Sequence, residues 1–127
     1  MPKDRIADFF SEYKKAFVKE DLQKVSEFFH YPCIIARAGS PVTSLKTPDE
    51  LQQFEQSSLD YFKSIQMEKA NVEVSFYRTY DAGNIISDVS FDLFGPQGAF
   101  LGKVHWLYHL LDSNDELKIL TAHYVVQ

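Results

Sequence analysis

NIISDVSFDLFGPQGAFLGKVHWLYHLL, residues 84–111, decides the fold. Asn84 to Phe94 and Ala99 to Leu111 each read as a long strand of alternating character, and Gly95-Pro96-Gln97-Gly98 between them is a tight turn. Upstream, Val72, Val74 and Phe76 alternate with polar residues and meet the hairpin at the Asp81-Ala82-Gly83 turn. Downstream, Asp112 to Glu116 turns the chain into a last strand from Leu117 to Val126. The C-terminal half is therefore a meander of long antiparallel strands.

The N-terminal half has helical periodicity instead. Ile6, Phe9, Phe10, Tyr13 and Phe17 recur at spacings of three and four, which predicts a first helix of about four turns. Asp21 is placed to cap a short second helix carrying Leu22, Val25, Phe28 and Phe29. Tyr31-Pro32 ends it, because a residue before proline avoids helical angles. His30 then falls where it caps that helix's last carbonyls. Cys33 to Ala38 reads as a strand, Gly39-Ser40-Pro41 as a turn and Val42 to Lys46 as a short returning strand. Thr47-Pro48-Asp49-Glu50 combines a capping threonine, proline at the first helical position and a glutamate that bonds back to the cap. A third helix follows with Leu51, Phe54, Tyr61, Phe62 and Ile65 on one side. Helices first and a strand meander after them define an α+β class.

The whole chain, residues 1–127, reads as one domain, since a split would leave pieces too small for a good core. A hydrophobic content of 45%, with 11 Phe and 7 Tyr, supplies that core. The net charge is −5 and lysines and arginines form no stripe, which argues against a nucleic-acid partner. No apolar run approaches the roughly 20 residues of a membrane span, and Met1 to Asp8 lacks a signal peptide's apolar core. With a single cysteine, Cys33, set among apolar neighbours, a cytoplasmic location is expected.

The order α-α-β-β-α-β-β-β-β resembles the nuclear transport factor 2-like superfamily. Two local stretches carry the likeness: Tyr13 through Phe29 with Asp21 between the helices, and the closing hairpin from His105 to Tyr124. That resemblance implies a cystatin-like cone, three helices packed on a curved, mostly antiparallel sheet of about six strands. SnoaL-type cyclases, ketosteroid isomerases and scytalone dehydratase share it, as do non-catalytic modules. Against ketosteroid isomerase, Tyr13 takes the place of the tyrosine that donates to the oxyanion. The general base would fall at Arg37 and the second oxyanion donor at Leu107, so two of three catalytic groups differ. The resemblance places Leu107 inside the cone.

A four-residue loop at each turn predicts Asp88 opposite His105, Ile86 opposite Leu107, His105 opposite Tyr124 and His109 opposite Leu120. With Leu107 inside, the cavity is expected to hold Ile86, Asp88, His105, Leu107, His109, Leu120 and Tyr124, with Arg37 available to a substrate carboxylate. Asp88 and His105 form the expected acid–base pair, and Tyr13 the donor across the cavity. Val89, Phe91, Val104, Trp106, Tyr108 and Leu110 then fall on the outer face. That face is too apolar for water, so a second subunit is expected to cover it as a homodimer. His105 and His109 lie about 13 Å apart along an extended strand, too far to share a metal, so neither metal nor cofactor is expected. The expected ligand is a small apolar or amphipathic molecule. Two functions stay open: cofactor-free isomerase, dehydratase or cyclase chemistry, and a non-catalytic dimeric interaction or ligand-carrier module.

Overall fold

The computed structural model describes residues 4–37, 39 and 41–125. Its elements follow the expected order: α1 (Arg5–Val18), α2 (Leu22–Ser26), β1 (Phe29–Ala36), β2 (Thr43–Leu45), α3 (Pro48–Ser64), β3 (Lys69–Thr79), β4 (Asn84–Phe94), β5 (Phe100–Ser113) and β6 (Glu116–Tyr124). The strands form one six-stranded sheet in the order β2-β1-β6-β5-β4-β3. Of its pairings, β1 with β6 is parallel and the others are antiparallel. Among the described residues, no helix is long and apolar enough to cross a membrane.

Each helix starts where its capping chemistry sits. The Asp4 carboxylate accepts from the Ile6 and Ala7 amides, and Asp21 accepts from the Lys24 amide. Thr47 and Glu50 complete a reciprocal capping box with Pro48 inside it. The second helix stops at Ser26, before the expected Phe28 and Phe29, because Phe29 and His30 already belong to β1. His30 therefore caps no helix; its Nδ1 lies 3.4 Å from the Pro32 carbonyl.

The strand registers depart from expectation at two bulges and one longer turn. Gly95 to Ala99 is a five-residue connection, with Phe94 paired to Phe100, and Leu101 is left over before Leu93 pairs with Gly102. These two extra residues slide β5 by two positions, so Ser90, not Asp88, sits opposite His105, and Asp88 sits opposite Leu107. A slide of two preserves the facing. The last turn is tighter than the expected four residues, Asn114-Asp115 with Ser113 opposite Glu116, yet the β5–β6 register is the expected one up to Leu110 opposite Ile119. Beyond it Leu120 is bulged, and His109 pairs with Thr121, Tyr108 with Ala122 and Trp106 with Tyr124. One extra residue exchanges the two faces, so Tyr124 shares a face with Trp106 rather than with His105.

The helices cover the apolar face of the sheet. Along β4, Ile85, Ser87, Val89, Phe91 and Leu93 are buried, while Ile86, Asp88, Ser90 and Asp92 between them are half-buried. Val89, Leu110 and Ile119 pack with Phe10 and Tyr13 of α1 and Leu51 of α3 in one core. The expected inside and outside of the sheet are thus exchanged. The physical reason is burial: α1 and α3 bring apolar stripes that need an apolar partner, and the Val89-Phe91-Tyr108-Leu110 face provides one. No second subunit is needed to cover this face, since the chain's own helices do so. The opposite face carries exposed Ile34, Phe76 and Leu107 among polar neighbours.

Candidate functional site

Between the helices and the inner face lies a cavity of about 90 Å³. At roughly 10–15 Å³ per water on this measure, it has room for several waters or one small organic molecule. Its buried floor is formed by Tyr13, Phe29, Ile35, Glu55, Tyr108 and Ala122. Its half-exposed rim includes Lys14, Phe17, Ser58, Phe62 and Trp106. Apart from Lys14, Ser58 and the floor's Glu55 and two phenols, the lining is apolar, the composition of a small-molecule site.

Glu55 is the chemical centre of that floor. It is 6% exposed and lies on α3 between buried Leu51 and Leu59, one turn from each. Burial drives its carboxyl up to about 7, against smaller downward pulls from Arg37 and from Ser58. An acid with a midpoint there gives up or takes a proton freely at neutral pH.

Tyr13 of α1 and Tyr108 of β5 are buried beside it, ring centroids 6.3 Å apart and edge to face. Phe10 wedges against both, 6.4 Å from Tyr13 and 4.8 Å from Tyr108. Burial pushes both phenols upward, and the Glu55 charge adds to the rise, so each remains protonated. Each protonated phenol has one O–H to donate to a ligand oxygen. Trp106 stacks on Tyr108 at 6.1 Å and forms part of the wall.

Of the residues expected in the cavity, Tyr13 alone lines it. Asp88 and His105 do meet side chain to side chain, diagonally across β4 and β5, but on the outer face. Ser75 Oγ adds a 3.3 Å bond to the same carboxylate. The sheet therefore separates this pair from Tyr13. Ile86 and His109 oppose each other on that outer face, where His109 Nε2 lies 2.8 Å from Asn84 Oδ1. Leu107 is exposed there too. Leu120 is the bulged residue, and Tyr124 packs edge-on against Trp106 at 5.5 Å without reaching the cavity. Arg37 turns to α3: its Nη1 donates to Ser57 and Ser58, and its guanidinium lies 3.9 Å over the Phe54 ring. It is not placed to meet a substrate carboxylate in the cavity.

Glu55 and Tyr108 are the functional candidates that sequence reasoning missed. The signal for Glu55 was present: Leu51, Glu55, Leu59 and Phe62 follow helical spacing, and a carboxylate interrupts an apolar stripe. Tyr108 belongs to the face expected to lie outside. Among the described residues, no three His, Cys, Asp or Glu side chains gather as metal ligands.

Three helices packed on a six-stranded mixed sheet are the architecture of an NTF2-like domain. The family model described as NTF2-like protein (DUF6841) matches residues 3–125, and the chain belongs to that family. Among solved structures, Aln2 from a Streptomyces species is similar at a TM-score of 0.75 and 13% identity, covering 98% of this chain and 92% of that one. An NTF-2 like protein of unknown function from Shewanella oneidensis is similar at 0.72 and 13% identity, covering 98% of both chains. A ketosteroid isomerase-like protein from Erwinia carotovora atroseptica is similar at 0.67 and 12%, covering 98% of this chain and 100% of that one. At such identities the likeness shows the fold. Among curated protein sequences nothing matches.

Proposed function

We propose that the cavity binds a small, largely apolar carbonyl compound and that Glu55 moves a proton on it, without cofactor, as in an isomerase or cyclase. The observation that carries this reading is a buried carboxyl poised at about 7 beside two protonated phenols. Ionised Glu55 takes a proton from the carbon next to the carbonyl. The carbonyl oxygen gains the charge and accepts a hydrogen bond from a phenol O–H of Tyr13 or Tyr108. The protonated Glu55 then returns the proton to the same or a conjugated carbon, so atoms and charge balance. Apolar walls strengthen both interactions by excluding water.

Deuterium uptake from heavy water into cyclopentanone and 2-indanone, followed by proton NMR, tests this. The protein should raise exchange above buffer, with a rate that climbs as pH rises through about 7, since the ionised acid is the active form. Glu55→Gln should lower the rate at least ~100-fold, and Tyr13→Phe combined with Tyr108→Phe by a similar factor. Exchange that persists in Glu55→Gln, or none above buffer with either ketone, would count against it.

A further inference from the structure

We propose that Arg37 is a positioning residue for Glu55, acting on it through the hydroxyl of Ser58. This rests on Glu55 being the proton-exchanging group of the cavity, and it concerns how that group is held.

Two adjacent serines on α3 look equivalent and are not. Arg37 Nη1 donates to both, at 3.2 Å to Ser57 Oγ and 2.9 Å to Ser58 Oγ. Ser57 spends its own proton on the Phe54 carbonyl, 3.0 Å away within the helix. Ser58 lines the cavity beside Glu55, one turn further along the same helix, and its own proton is left to turn toward that carboxylate. A hydroxyl that accepts from a cation becomes a better donor, because each bond polarises the next. Charge on Arg37 is thus passed to Glu55 through Ser58, and through Ser57 it ends on the backbone.

Arg37 has little else to neutralise it. Its Nε is buried without a hydrogen-bond partner, and among the described residues it forms no ion pair. The Phe54 ring beneath the guanidinium fixes its plane. Among the described residues, the other ionisable groups around Glu55 are Tyr13 and Lys14 of α1, Cys33 of β1 and Tyr108 of β5. Arg37 is the one whose charge pulls the carboxyl downward. The relay opposes burial and keeps the acid from being locked in its neutral form.

Carboxyl-selective carbon NMR on protein labelled at glutamate side chains reads the Glu55 midpoint directly and needs no substrate. The resonance that titrates near 7 and vanishes in Glu55→Gln is the reporter. Ser58→Ala should raise its midpoint by roughly one pH unit, the size of one hydrogen bond to a charged group. Arg37→Met should raise it as well, with less than the full effect in the Ser58→Ala background because both act on one path. Ser57→Ala should leave it in place. Should Arg37→Met unfold the chain, the paired serine variants still decide. An unmoved midpoint in Ser58→Ala, an equal shift in Ser57→Ala, or no glutamate titrating near 7 overturns the proposal. If the midpoints shift as stated but Glu55→Gln keeps deuterium exchange, the relay stands and the acid–base reading falls.

Discussion

Glutamine at position 55 should remove most of a pH dependence that the wild-type fold carries, a difference of about 3 kcal/mol between pH 4 and pH 8. The unfolded chain ionises this carboxyl at about 4.5 and the folded chain at about 7. Burial thus favours the protonated acid in the folded state. Its stabilising contribution is fully present below the unfolded value and is lost as pH rises through the folded one. That displacement corresponds to about 3 kcal/mol, a large share of the roughly 5–15 kcal/mol that holds a domain together. Glutamine is neutral throughout, while the other carboxylates titrate alike in both proteins and cancel from the comparison. Urea unfolding at pH 4, 6 and 8 should therefore show the variant gaining on wild type as pH rises. Parallel stability curves would mean that Glu55 ionises in the folded state as it does in water. The sign matters for function: the fold is least favourable under the conditions in which its base is active.

Phe10→Ala should cost about 3–5 kcal/mol, the range for emptying an aromatic site in a closed core. Phe10 is fully buried and touches the rings of Phe9, Tyr13 and Tyr108. With Ile6, Tyr13 and Ala16 it forms the buried face by which α1 packs into the core. Phe10→Leu keeps most of the volume and should cost less than about 1.5 kcal/mol. Midpoints of urea unfolding for the two variants measure this directly. A loss below about 1 kcal/mol in Phe10→Ala would show that the surrounding rings close over the gap. Because Phe10 backs both phenols, the alanine variant should also weaken any dependence of deuterium exchange on them.

The fold was legible because its signals are local. The Thr47–Glu50 box, the stripe of α1 and the turns at Asp81-Gly83 and within Asp112–Glu116 each specify their element within a few residues. The site was not, for two reasons of different kind. The expected facing of the sheet rested on one family position, Leu107, when the apolar weight of Val89, Phe91, Tyr108 and Leu110 pointed the other way. Burial decides facing, and a distant likeness does not. The Leu120 bulge, by contrast, left no trace in the residues: nothing in Ile119-Leu120-Thr121 distinguishes an extra residue from a regular strand. The Asp88–His105 contact was anticipated from the wrong register and is real on the outer face, since a slide of two keeps diagonal neighbours within reach.

The cavity is also lost volume. About 90 Å³ without protein atoms in a chain this small makes the folded state bulkier than its unfolded ensemble, so compression works against it. Voids of this kind contribute on the order of tens of millilitres per mole to the volume change of unfolding. A molecule that fills the space removes that penalty and should raise the pressure at which half the protein unfolds. Hydrostatic pressure, read by Trp106 fluorescence at the cavity wall, therefore ranks candidate ligands by fit alone and without knowledge of the reaction.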